Sequence, residues 1–250
     1  MAVIAKAYSR PRAYVRVKGI EAGDFLQRMV SNDVLAGRAC EALLLTPKAR
    51  VIAPLLVWRR GEDDFLLLTE PELGETVRSH LHRMRLSSKC EIELEQHTSA
   101  IVLGGSDGIP IADYGEPAVE LLDTGLELAP PDDALERRRI LARSPRWGAE
   151  IDETILPAEA GLDERAISFT KGCYPGQEPV ARLRHRGHAN RTLRVLDVHG
   201  EVSPGDEIVH LGKPAGRVTS VVPGLALAYV RVEVPDGAEL EVGGGPARLH

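Results

Sequence analysis

The run Lys171-Gly172-Cys173-Tyr174-Pro175-Gly176-Gln177-Glu178 concentrates the chemistry this chain could perform. It sets one cysteine in a short glycine-flanked turn, with a cation two residues before it and a carboxylate five after. Only the thiolate of cysteine is a strong nucleophile or metal ligand, and a neighbouring ammonium or a helix N-terminus favours that form. The spacing predicts both influences. Lys171 supplies the charge, Gly176 reads as an N-cap, and Gln177, Glu178 and Pro179 suit a first helical turn. Cys173 then lies just outside the positive end of the helix dipole. Free cysteines are more often small buried hydrophobes. Glycines and polar neighbours argue here for exposure, so Cys173 and Lys171 form the candidate catalytic pair.

Charge gathers around that turn. Between Lys171 and Arg194 stand six Lys or Arg residues and one acid, Glu178, with His185 and His188 among them. Such a patch suits a carboxylate, a phosphate or an RNA backbone; a solvated arginine-rich face of no special role is the plain alternative. His185-x-x-His188 with Cys173 offers three metal-type ligands, but Gly187 interrupts the pair and no fourth ligand is evident, so no metal is expected. His80-x-His82 points to two faces of one helix. Gly104-Gly105-Ser106-Asp107-Gly108-Ile109-Pro110 is a loop without the lysine a phosphate cradle requires.

The elements that must position the turn follow from periodicity. Residues 24–30 place Phe25, Leu26, Met29 and Val30 on one helical face. Strands are expected at 42–45 and 51–58, the second apolar enough to be central, and at 65–68. Thr69 and Glu72 read as a capping box opening a helix that carries Leu73, Val77, Leu81 and Met84. Strands at 90–95 and 99–103 follow, then a short polar helix at 132–142 behind Pro130-Pro131. This order implies an α+β unit with a mostly antiparallel sheet. Beyond His188 short strands alternate with turn signals, as in a small barrel or sandwich. We divide the chain into 1–187, with two intertwined subdomains, and 188–250.

Composition narrows the classes. At 250 residues the chain can bury a sizeable core, and 43% apolar with 27% charged content is that of a soluble globular protein. No secretory leader or membrane span is expected at the N-terminus or elsewhere. Three dispersed cysteines, Cys40, Cys90 and Cys173, form neither a disulfide framework nor a zinc ribbon, which points to a reducing cytoplasm. A net charge of −6 argues against general nucleic-acid binding.

With its flanks Ile155-Leu156-Pro157, Glu159-Ala160-Gly161-Leu162 and Val180-Ala181-Arg182, the cysteine run resembles the signature of the YgfZ family. Those are folate-binding relatives of the glycine-cleavage T-protein (aminomethyltransferase), tied to iron–sulfur cluster maintenance and tRNA thiomodification. Phe25-Leu26-Gln27-Arg28 leading into Ser31-Asn32-Asp33-Val34, and the run from Gly212 to Ser220, are similar to segments of the wider superfamily. The resemblance implies a T-protein-like multidomain fold of antiparallel sheets and helices with a C-terminal β-barrel. It implies tetrahydrofolate or a derivative as ligand, with Asn32, Asp33, Tyr174, Gly176, Gln177, Glu178 and Arg182 lining its site. Iron–sulfur client enzymes are the implied partners of a monomeric chain.

Departures from the T-protein pattern matter equally. Where that enzyme reads V-I-D-D-L, this chain has Val51-Ile52-Ala53-Pro54-Leu55; where it reads L-E-A-G-M-P-L-Y-G, Leu141 stands at the pterin-gripping carboxylate. Losing a positioned acid or base costs ~10²–10⁴ in rate. Support of iron–sulfur enzymes through Cys173 is therefore the first functional expectation. A tetrahydrofolate-dependent aminomethyltransferase-like enzyme and a non-catalytic client-binding scaffold are the alternatives.

Overall fold

The computed structural model describes residues 6–250; the expectation about a leader concerns residues 1–5 and lies outside the described residues. The first half contains β1 (Ala7–Ser9), β2 (Ala13–Lys18), α1 (Ala22–Met29), β3 (Ala39–Leu45), β4 (Val51–Arg59), β5 (Asp64–Thr69), α2 (Gly74–Met84) and β6 (Glu91–Glu95). Five strands pair antiparallel in the order β3-β4-β5-β2-β6. Phe25, Leu26 and Met29 of α1 are buried against this sheet together with Val77 and Leu81 of α2, the faces their helical spacing dictates.

Proline in a central strand normally removes a ladder hydrogen bond. β4 tolerates Pro54 because β5 pairs with it only from Leu56 to Arg59. At Pro54 the strand is flanked by β3 alone, opposite Leu43, and the Thr69 hydroxyl donates to the Pro54 carbonyl at 2.8 Å. That bond also corrects the expected capping box. Thr69 ends β5, fully buried, and Glu70 occupies the N-cap of the 3-10 turn Pro71–Leu73 without a side-chain cap.

A second sheet, β1-β7-β9-β8, uses β7 (Ser99–Leu103), β8 (Ile109–Ile111) and β9 (Ala118–Leu122). The Gly104–Pro110 loop thus ends in a short edge strand that includes Pro110. α3 (Asp133–Leu141) starts on Asp132, whose carboxylate accepts from the Leu135 N–H. After α4 (Gln177–Arg186), six strands close a barrel: β10 (Arg191–Val198), β11 (Glu207–His210), β12 (Lys213–Val222), β13 (Leu225–Arg231), β14 (Glu239–Val242) and β15 (Gly245–Leu249). β15 pairs with both β14 and β10, so no edge is left open.

One apolar core crosses the molecule. It joins Leu43, Leu45 and Val51 of the first sheet, Ile155, Ile167, Tyr174 and Val180 of the cysteine segment, and Leu193, Leu225 and Leu227 of the barrel. The cysteine segment is the seam between sheet and barrel.

Candidate functional site

The segment before α4 is stitched to the turn that follows α1. Ser31 is fully buried; its hydroxyl donates to the Ala166 carbonyl at 2.6 Å and accepts from the Leu43 N–H at 2.8 Å. Its carbonyl accepts from the Ser168 N–H at 3.0 Å. Asn32 donates through Nδ2 to the Glu41 and Arg165 carbonyls at 2.7 and 3.3 Å. The Asp33 carboxylate accepts from Gln27, Leu35 and Ala36, and the Gln27 amide chiefly holds it below the usual carboxylate range. Asn32 and Asp33 therefore tie this turn together. Ser31, which the sequence pattern includes in that segment without marking it as a site residue, is as central as either, and its partners lie 12 and 135 residues away.

Lys171 has a different neighbourhood from the one expected. Its ammonium donates to the Val30 and Asn32 carbonyls, both at 2.7 Å. Burial pushes it down to about 8, against the pull of Asp33 and of the Cys40 thiol. It also lies 5.5 Å from the centre of the Tyr174 ring. Through these two carbonyls Lys171 holds the turn closed.

Tyr174 is buried, with its hydroxyl unpaired among the described residues, and burial pushes the phenol up to about 12. Gly176 caps α4 as the sequence predicts, at φ +85°; an added Cβ would sit 2.7 Å from the Thr46 carbonyl oxygen. Only glycine suits that approach and that conformation. Gln177 is half-buried in the first turn and Glu178 is exposed.

These contacts leave Cys173 exposed just before the α4 N-terminus. The other thiols are shielded: burial pushes half-buried Cys40 up to about 11 and raises buried Cys90. The exposed position is what an external electrophile, metal or cluster would meet.

The cationic patch is smaller than the sequence implies. Arg184 stacks on Phe169 at 3.9 Å, Arg191 pairs with Glu159, and Arg194 with Asp236. Arg182 and Arg186 remain, exposed and without an ion pair among the described residues. His185 lies in the last turn of α4, and His188 lies beyond Gly187, where the backbone is extended and no longer helical. Arg182 and Arg186 line a groove of about 660 Å³ between α4, the Leu156–Ala158 segment and the barrel.

The positions matched to the T-protein's acidic groups lie elsewhere. Ala53 is buried in the sheet, and Pro54 lines a cavity crossed by Arg10–Asp113 and Arg165–Asp113 ion pairs at 2.8 Å and by the Arg165–Glu41 pair. A pocket for a drug-sized ligand needs about 300–1,000 Å³, and this cavity offers about 60 Å³. The residues there do not fit a folate. Leu141 stands at the end of α3, partly exposed, on a separate groove of about 1,000 Å³ that also includes Arg143 and Arg165.

The fold and site define a T-protein-type scaffold with a closed C-terminal barrel and an exposed cysteine turn. The glycine cleavage system aminomethyltransferase T from Bartonella henselae has the same fold: TM-score 0.81, covering 98% of this chain and 85% of that one at 17% identity. Residues 190–250 match the family described as CAF17, C-terminal beta-barrel domain. The mitochondrial iron-sulfur cluster assembly factor IBA57 of Mus musculus is 28% identical, over 90% of this chain and 77% of its own. The IBA57 homolog of Neurospora crassa is 26% identical over 73% of this chain, which spans about half (51%) of that protein. Among the described residues no helix is long and apolar enough to cross a membrane.

Proposed function

We propose that this protein supports the assembly or repair of iron–sulfur enzymes, including those of tRNA thiomodification in the YgfZ manner, through Cys173. The observation that carries this reading is the exposed thiol, held on a turn that Lys171, Ser31 and Gly176 anchor to the sheet. The cluster is cargo, and the client enzyme brings or receives it. The similarity to proteins named as iron-sulfur cluster assembly factors supports the same reading. Tetrahydrofolate is placed in the groove beside Leu141 and Arg143, where space exists, and not at Asn32, Asp33, Tyr174, Gly176, Gln177, Glu178 and Arg182, none of which lines it; equilibrium dialysis against a stable tetrahydrofolate derivative, with Arg143→Glu as control, tests it. Aminomethyl transfer is disfavoured, since Ala53 and Pro54 offer no acid or base.

The decisive experiment compares thiomethylated tRNA nucleosides in a deletion strain carrying wild type or Cys173→Ala at matched protein levels. Wild type restores them and Cys173→Ala does not. Full rescue by Cys173→Ala would give first place to a scaffold role. In the purified protein, iodoacetamide at neutral pH modifies Cys173 before Cys40 and Cys90, read by mass spectrometry.

A further inference from the structure

The groove along α4 belongs to no step described so far. Its floor is apolar: Leu156, Val180, Leu183 and Val232 line it. Val180 and Leu183, three residues apart, lie on one face of α4, and Gly187 follows its C-terminus in the same lining. Arg182 and Arg186 stand one turn apart on a flank of that face, exposed and unpaired among the described residues. Asp163 and Glu164, from the segment after Gly161, also line the groove without ion-pair partners among the described residues, and they are shared with the groove beside Leu141. A groove of about 660 Å³ takes several apolar side chains, and its lining brings together cations from α4 and anions from residues 163–164.

From this we infer that the groove docks an amphipathic helix of the client protein, with an apolar stripe in the trough, two carboxylates one turn apart facing Arg182 and Arg186, and basic or neutral residues facing Asp163 and Glu164. The inference rests on the proposed role in servicing a client. The charge asymmetry selects the occupant. A uniformly acidic ligand would meet repulsion from Asp163 and Glu164, and a uniformly basic one from α4. Placement adds purpose: α4 begins on Gly176, three residues after Cys173, so a helix lying along α4 brings its protein to the exposed thiol.

The test uses two fluorescein-labelled synthetic helices of equal composition and fluorescence anisotropy. Both carry a leucine stripe; one has glutamates on the flank that faces α4 and lysines on the other, and the second has these flanks exchanged. The first is expected to bind the full-length protein at least ~5-fold more tightly, the scale a few solvent-edge ion pairs supply. Arg182→Gln with Arg186→Gln should level the two affinities, and Arg182→Glu with Arg186→Glu should reverse the preference, an outcome only a folded protein can give. Cys173→Ala should bind like wild type, so a failed rescue by that variant in cells leaves the docking result standing. Equal affinity for both helices, no response to the arginine changes, or displacement of the helix by p-aminobenzoylglutamate would overturn the inference; the last would assign the groove to a small anion.

Discussion

Two arginine clusters in this molecule serve opposite ends. In the interior, Arg139 binds Glu136, Glu150, the Ser144 carbonyl and Ser220 at once, and Arg12 holds Glu120, whose side chain has no exposed surface. On α4, Arg182 and Arg186 face solvent with no partner among the described residues. Buried charges persist only when fully paired. An unpaired surface charge contributes little to folding and remains available to a ligand. The difference teaches that arginine content alone, high in both places, does not mark a binding site; the state of pairing does.

The comparison is broken most directly at Arg139. Arg139→Met strands the Glu150 carboxylate, left with only Ser220 and the Arg146 N–H as donors. Breaking a buried pair from one side costs about 3–5 kcal/mol, and the loss should appear in urea denaturation as a lower midpoint. A cost under about 1 kcal/mol would remove the contrast between the clusters.

Gly176→Ala comes next. A side chain at φ +85°, 2.7 Å from the Thr46 carbonyl oxygen, should cost about 1–3 kcal/mol. A neutral result would mean that the cysteine turn is not anchored through this contact.

Lys171 gives a smaller, pH-dependent effect. Its folded value of about 8 lies below the ordinary 10.5, so between these pH values the unfolded chain binds the extra proton. Stability then rises with pH across that window, relative to Lys171→Met, and the two proteins run parallel below it. Denaturation midpoints measured from neutral pH to about 10.5 should separate them; parallel curves throughout would deny Lys171 its buried position.

The smallest effect is expected on α4 itself. Arg182→Glu with Arg186→Glu should change stability by no more than about 0.5 kcal/mol, as for surface changes away from special features. A loss as large as that of Arg139→Met would show these arginines to be structural and would withdraw them from the docking surface.

Much of the frame was legible in the chain. The α1 face, the central character of β4, the α4 cap on Gly176 and most barrel strands follow from local periodicity and turn chemistry. Strands β1, β2, β8, β9 and β15 went unread. Four of these have five residues or fewer, proline interrupts β8 and β15, and β2 carries arginine and lysine among its apolar residues. The capping box failed for a related reason: Thr-x-x-Glu is a local pattern, and a partner 15 residues back, the Pro54 carbonyl, took the threonine first.

The sequence by itself determined that one cysteine sits in an exposed glycine-bounded turn before a helix, and that the acid groups of the T-protein pattern are absent. Those are matters of residue identity and of bonds between near neighbours. Tertiary structure alone decided that Lys171 reaches the carbonyls of Val30 and Asn32, 141 and 139 residues away. It alone decided that Arg165 reaches Glu41 and Asp113, filling the space below Pro54. A long side chain chooses its partner by which backbone or carboxylate the fold brings within hydrogen-bond range, and no local pattern records that choice.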